Sequence, residues 1–190
     1  MEEIRFIREF NYLMLIYGVM VLLLYLFFSL KGSIKKQVFY LLMCSLTFLL
    51  GAYVVYIIGS RDMNIGVDTP NYHYNFITSE NLKLKFEFLF SLLNSFFFSF
   101  FSFTHFLVFC AFIYVFASYK SFRMIFPSHF FLVFFFFLVY PYFIQFGINV
   151  MRNGMAASIY LLAISYLLLE KRKIYHVLAV LSIGVHRDRK

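Results

Sequence analysis

Long runs without a charged residue constrain this chain more than any other feature of its sequence. No Asp, Glu, Lys or Arg occurs from Asn11 to Leu30, from Val38 to Ile58, or from Phe88 to Tyr119. A helix of about 20 apolar residues is long enough to cross the hydrocarbon core of a bilayer. With 63% hydrophobic and only 14% charged residues, a chain of this size cannot cover a soluble surface, and it is too apolar to be disordered. We therefore predict a membrane protein.

The basic residues between these runs predict how the chain crosses the membrane. Lys and Arg accumulate in cytoplasmic loops. If successive loops alternate between the two sides of the membrane, eight Lys and Arg residues lie in the cytoplasmic loops and four in the outer segments that follow the first span. This pattern predicts an all-α polytopic membrane protein that forms a single membrane domain over residues 1–190. About five transmembrane helices are expected, at about 11–30, 38–58, 103–119, 129–144 and 152–169.

Three further segments do not have the composition or length of a complete span. Residues 59–87 are polar and charged, which predicts an outer loop. Residues 86–101 carry several Ser and Asn side chains, which favours an interfacial or re-entrant helix. Residues 174–186 form a partial helix, because at about 1.5 Å per residue they cannot cross a core about 30 Å thick. Either this last helix lies along the interface or the chain is truncated.

Several function classes can be set aside from the sequence. The net charge of +8 could indicate a nucleic-acid partner, but the bases occur in short clusters, and we predict none. The histidines His105, His129 and His176 show no paired ligand spacing, and neither HExxH nor CxxC occurs. We therefore predict neither a metal site nor a cofactor.

The first polar segment that calls for an explanation runs from Arg61 to Phe76. Its Gly, Asp, Thr, Pro and Asn residues are typical of turns, so one interpretation is a solvated loop in which Asp68 caps the next helix. The alternative is a glycan-binding loop. In that interpretation carboxylates accept hydrogen bonds from sugar hydroxyls, and the rings of Tyr72 and His73 stack on sugar.

The second polar segment runs from Gln145 to Gly154. If it is helical as far as Arg152, then Gln145, Asn149 and Arg152 lie on one face. Arg152 either extends to water at a span boundary or faces a cavity, where its fork of donors would match phosphate oxygens. The small residues that begin at Gly154 and include Ala156 would let helices approach closely.

The order of these motifs resembles the EpsG family, Wzy-type membrane proteins of exopolysaccharide and capsule synthesis. The resemblance extends from about Val38 to His186, about the first half of a typical member. Its motifs are Arg61-x4-Gly66-x-Asp68-Thr69-x2-Tyr72-x3-Phe76, then Phe86-Glu87, then Met151-Arg152-x3-Ala156, then Val185-His186.

The resemblance implies a multi-pass protein of the inner or plasma membrane. Its substrate would be a polyprenyl-diphosphate-linked oligosaccharide, polymerised on the outer face. Arg152 would bind the diphosphate with help from Arg61, and Asp68 or His186 would be the base; the order of Asp68, Glu87 and His186 as base candidates stays open. The catalytic candidates are Arg152, Asp68 and His186, and the substrate-binding candidates are Arg61, Tyr72, His73, Glu87 and Gln145.

Two positions depart from the family pattern. Asn153 replaces the common Gln, and Arg187-Asp188 replaces an apolar residue followed by Ser, so we expect a truncated member. The alternative function is a non-catalytic membrane partner of other polysaccharide assembly proteins. A small transporter is disfavoured, because we find no charge near the middle of a span and no internal repeat.

Overall fold

The computed structural model describes residues 2–29, 33–78 and 88–185, and within those ranges it is helical with no strand. This confirms the all-α prediction. The helices are α1 (Glu2–Ser29), α2 (Ser33–Gly59), α3 (Thr69–Ile77), α4 (Phe88–Phe100), α5 (Phe103–Ile125), α6 (Phe130–Val139), α7 (Pro141–Ile148), α8 (Met151–Leu168) and α9 (Arg172–Val185).

Three of these helices are long and apolar enough to cross a membrane. The suitable stretches are Arg5–Leu23 in α1, Gln37–Gly59 in α2 and Phe103–Ile125 in α5. The count rises to four if the bent pair α6 and α7 forms one span. The expected number of five is not confirmed. The predicted span at 152–169 corresponds to α8. Because its first turn contains Arg152 and Asn153, α8 is too polar to belong to the helices that could cross a membrane.

The predicted span at 129–144 is not one straight helix. Helices α6 and α7 meet at an angle of 71°. Pro141 restricts the residue before it to an extended conformation, and Tyr140 accordingly has φ −63° and ψ 128°. The proline is then tolerated in the first turn of α7, where its missing N–H leaves no bond unmade. Pro141 therefore divides the expected span into two helices that meet at a bend.

The bundle is layered in the order α2, α5, α8, α9, with α1 beside α2 and with α6 beside α5, α1 and α2. The buried phenylalanine rings lie on α1 and on α3 to α7, whereas α8 and α9 contribute none. One buried polar bond lies within this packing, where the hydroxyls of Tyr17 on α1 and Thr47 on α2 are 2.8 Å apart. Such a bond satisfies both groups where no water is present.

Small residues allow α8 to approach its neighbours, as the sequence predicted. A Cβ atom on Gly154 would lie 2.7 Å from the carbonyl oxygen of Phe146 on α7. The Ser182 hydroxyl on α9 donates to the carbonyl oxygen of Ala156 on α8 at 2.9 Å. These contacts bring the start of α8, the end of α7 and the end of α9 to one end of the bundle, which we call the site end.

The segments outside the expected spans are also helical. Helix α3 lies inside the predicted outer loop 59–87, α4 occupies most of 86–101, and α9 corresponds to the partial helix 174–186. Their positions at a membrane interface, or on its outer side, stay predictions. Glu87 and His186 fall outside the described residues.

Candidate functional site

Arg61 lies where the ends of α2 and α7 meet the start of α3, and its side chain is only 6% exposed. Its guanidinium donates to the carbonyl oxygen of Ile58 at 2.7 Å, to that of Ile148 at 3.3 Å, and to the hydroxyl oxygen of Thr69 at 3.2 Å. Carbonyl groups in the last turn of a helix lack a partner within the helix, and cations are favoured there. We call this group, from Ile58 to Thr69 with Ile148, the Arg61 junction.

Burial lowers the pKa of Arg61 to about 10. The side chain is therefore still a cation at neutral pH. Its charge is directed at helix ends and at Thr69. These contacts give Arg61 a positioning role that the sequence motif alone did not reveal.

The loop between α2 and α3 passes very close to the end of α7. Gly66 has φ +91°, and a Cβ atom there would collide with Ile148 and lie 2.8 Å from Asn149 Oδ1. Glycine alone adopts this conformation without a steric penalty. The backbone N–H of Val67 donates to Asn149 Oδ1 at 2.8 Å, and Asn149 Nδ2 donates to Gln145 Oε1 at 3.1 Å. The Asn149 amide thus connects the loop to α7.

The expected face of Gln145, Asn149 and Arg152 is only partly present. Gln145 and Asn149 are neighbours, as the i, i+4 spacing predicted, but α7 ends at Ile148. Val150, with φ −115° and ψ 49°, interrupts the helix before α8 begins. Because of this break, Arg152 does not continue the face of the other two residues.

Arg152 instead contacts α3 and α4. Helix α3 buries Thr69, Tyr72 and Phe76, which lie at i, i+3 and i+7 on one face. The guanidinium of Arg152 lies near the Tyr72 hydroxyl and interacts with it electrostatically. It also lies over the ring of Phe90 on α4, 5.9 Å from the ring centroid, a distance at which cation–π attraction acts. Burial raises the pKa of Tyr72, and the interaction with Arg152 opposes that rise.

Asp68 is adjacent to this group. It occupies the N-cap position of α3, but its side chain makes no capping hydrogen bond. The residue is therefore where a helix cap was predicted, without the hydrogen bond of a cap. Its charge and that of Arg152 act on the Tyr72 hydroxyl, and this hydroxyl in turn acts on Arg61. The structure thus brings three of the sequence-predicted residues, Arg61, Asp68 and Arg152, within electrostatic range of the hydroxyl of a fourth, Tyr72. We call Asp68, Tyr72, Phe90 and Arg152 the Arg152 cluster.

Asn94, on the same helix as Phe90, is a buried polar residue that the sequence did not single out as a site residue. It is 4% exposed on the otherwise apolar α4, and its Nδ2 donates to the carbonyl oxygen of Asn75 at 3.2 Å. Its Oδ1 has no hydrogen-bond partner within the described part of the chain. An unmet buried acceptor is costly. The sequence feature that could have identified Asn94 is a single amide residue one helical turn after Phe90 in a helix rich in phenylalanine.

The rings predicted to stack on sugar pack against other aromatic side chains. Tyr72 is 4% exposed and its ring packs on Phe90 with the centroids 6.0 Å apart, so the protein covers this ring. The His73 ring packs edge-on against Phe103. Gln145 lines a separate cleft beside α1. Within the described ranges, no three His, Cys, Asp or Glu residues are grouped so that they could hold a metal ion.

The comparisons with known proteins give one match. The EpsG family model matches residues 45–187, a range that contains the Arg61 junction and most of the helices around it. No curated protein and no solved structure matches the chain.

Proposed function

Since the chain belongs to the EpsG family, a Wzy-type polymerase family, we propose that it polymerises polyprenyl-diphosphate-linked oligosaccharide repeat units on the outer face of the cytoplasmic membrane, for exopolysaccharide or capsule. The observation that most supports this proposal is the Arg152 cluster. A cation, a carboxylate and a hydroxyl group lie together at one end of an apolar bundle. Polar groups in such a position usually serve a function.

The proposed reaction is a glycosyl transfer between two lipid-linked chains. A hydroxyl group of the acceptor sugar attacks the anomeric carbon of the donor sugar, and the bond from that carbon to the diphosphate oxygen breaks. The diphosphate leaves with the bonding electron pair, so negative charge develops on its oxygen. A fixed cation at that position stabilises the transition state.

Arg152 is the residue that we assign to the diphosphate. Its planar fork can bind two phosphate oxygens at once. The interactions with Tyr72 and with the ring of Phe90 fix the orientation of this fork. A guanidinium whose position is already fixed loses little conformational freedom when the substrate binds.

Asp68 is our first candidate for the base that takes the proton from the acceptor hydroxyl. Its carboxylate is partly exposed and is not used in a helix cap, so it can accept a proton. His186 and Glu87 stay the alternatives. The proposal retains His73 and Gln145 as sugar-binding residues, because both are accessible. Arg61 assists by fixing the end of α7 from which α8 and Arg152 follow.

The test is elongation of the glycan by the full-length protein in membranes, measured as the length distribution of the lipid-linked product. Arg152→Ala should lower the rate by about 100-fold or more, the loss typical when one transition-state donor is removed. Arg152→Lys should keep the charge but lose the fork, and so retain an intermediate rate. Arg172→Ala, an exposed residue at the opposite end of the bundle, serves as the control and should elongate normally.

Unchanged elongation by Arg152→Ala would contradict this assignment. A non-catalytic partner of an assembly complex predicts a different result, because the purified wild-type chain would then elongate nothing until another polymerase was added.

A further inference from the structure

Two surface depressions lie end to end between α1 and the bent pair α6–α7. The first, which we call the polar cleft, has a volume of about 370 Å³ and is lined by Asn11, Tyr140, Gln145 and Asn149 together with apolar side chains. The second, the apolar groove, has a volume of about 690 Å³ and is lined by Leu15, Gly18, Leu22, Leu132, Phe135 and Phe136 among others.

The depressions follow one another along the same helices because α1 and α6 run antiparallel. Phe10 stacks on Phe143 at the site end, with the ring centroids 6.0 Å apart. Further along α1, the ring of Tyr17 is 5.7 Å from that of Phe135. The cleft lies beside the first of these contacts and the groove beside the second. We call the two depressions together the furrow, which leads from the amides to the phenylalanines.

Polarity changes sharply along this furrow. The cleft presents three side-chain amides, and Arg8 lies one helical turn before Asn11 on the same face of α1. The groove presents almost entirely apolar groups, with phenylalanine rings along α6. From Leu15 to Leu22 it extends for about 10 Å, at 1.5 Å per residue. A ligand that matches both parts has a polar, hydroxyl- or phosphate-bearing head and a long apolar tail.

Two features connect the furrow to the candidate site and give the groove its depth. Asn149 lines the cleft and also accepts the hydrogen bond from Val67, in the loop that carries Asp68. Gly18 borders the groove opposite Phe135, where a Cβ atom would lie 2.8 Å from the ring. A larger residue there would push that ring into the groove.

We propose that the apolar groove binds the isoprenoid tail of the lipid-linked glycan, with the polar end of the lipid directed along the polar cleft towards the site end of the bundle. The identity of this ligand rests on the proposed function, whereas the location of the site rests on the furrow. The aromatic rings of α6 provide flat apolar surfaces for an unsaturated chain, and the amides of the cleft bind the polar groups that follow it.

The test is photo-crosslinking of the purified full chain with a long-chain isoprenoid diphosphate that carries a photoreactive group in its tail. We expect the label on peptides covering residues 15–22 of α1 and 131–136 of α6. Leu132→Trp, which fills the groove, should lower the labelling at least five-fold. Leu49→Trp, an exposed position of α2 outside the groove, is the matched control and should label like wild type.

A second probe distinguishes the isoprenoid from ordinary membrane lipid. A phospholipid with the same photoreactive group should label the groove weakly, and equal labelling by both probes would overturn the proposal. Label spread evenly over all exposed helices would also overturn it, as would crosslinking of the groove to a second protein helix with no label from the probe.

The failure of this proposal can be separated from failure of the proposed function. Labelling is measured on the wild-type chain without an acceptor glycan, because crosslinking needs binding of the tail but no turnover. If the groove is labelled although no glycan is elongated in any assay, the proposed function is wrong and the groove still binds the tail. If elongation depends on Arg152 but the label lies elsewhere, the groove assignment is wrong.

Discussion

Two arginines lie at the same end of this bundle, and the protein uses them differently. Three donor bonds from Arg61 end on protein oxygens, two of them carbonyl groups of helix ends. Arg152 contacts a tyrosine hydroxyl and the face of a phenylalanine, and a carboxylate with no capping bond lies nearby. The first arrangement fixes the ends of two helices, whereas the second packs a cation against aromatic side chains of α3 and α4.

The difference between the two arginines shows why a motif cannot assign roles by residue type. Both would suit a diphosphate by charge. What separates them is the kind of group that each guanidinium contacts, which is helix-end carbonyl oxygens for Arg61 and aromatic side chains for Arg152. Substitutions in the Arg61 junction should therefore change stability, and substitutions of Arg152 should change activity in a protein that still folds.

The largest effect on folding is expected for Arg61→Ala. It removes donors from the carbonyl groups of Ile58 and Ile148 and leaves them buried, which should lower the free energy of unfolding by on the order of 3 kcal/mol. Thermal unfolding in detergent, compared with Arg152→Ala, measures this. The comparison between the arginines fails if Arg152→Ala is the less stable of the two proteins. Arg61→Lys should recover only part of the loss, because an ammonium group cannot reach all three acceptors in the same geometry.

Gly66→Ala should have the next largest effect. The new methyl group would strain a backbone at φ +91° and collide with Ile148, at a cost of roughly 2 kcal/mol. Gly51→Ala is the control, because a Cβ atom there meets Val115 at an ordinary 3.7 Å and alanine favours helix. Equal unfolding temperatures for the two variants would show that the loop does not press on α7 as described.

Asn149→Ala should have the smallest effect of the three. It removes the acceptor of the Val67 N–H and so should cost about 1 kcal/mol. Asn149→Asp keeps an acceptor oxygen at that position and should be closer to wild type in stability. Hydrogen exchange at the Val67 amide measures the bond directly. If exchange there is equally slow in Asn149→Ala, this amide does not connect the loop to α7.

Much of the fold could be predicted from local sequence. The uncharged runs determined the long helices, and α2 and α5 correspond closely to the spans expected at 38–58 and 103–119. The bend after Tyr140 was missed, although Pro141 supplied the cause, because the apolar runs on both sides have the composition of one continuous span. The expected count of five spans is not confirmed, because Arg152 and Asn153 fall inside the first turn of α8.

The site was predictable in its members more than in its arrangement. The motif residues Asp68, Tyr72 and Arg152 were named from the sequence, and they do come together. Asn94 was not named as a site residue, because a single amide in an apolar helix gives no sign of which helix it faces. Because the helix is interrupted at Val150, Arg152 does not share a face with Gln145 as expected. The residue types in that segment did not predict the interruption.

The sequence by itself determined that this chain is a bundle of apolar helices with its charges at helix ends. Burying an unpaired charge in lipid is costly, and the positions of the charged residues in the sequence already reflect that cost. Only the tertiary structure decided that Arg61 binds the carbonyl groups of helix ends while Arg152 lies against Tyr72 and Phe90. That depends on where the last carbonyl groups of α2 and α7 lie relative to each other. Contacts between segments that are far apart in the chain produce no periodic pattern in the sequence.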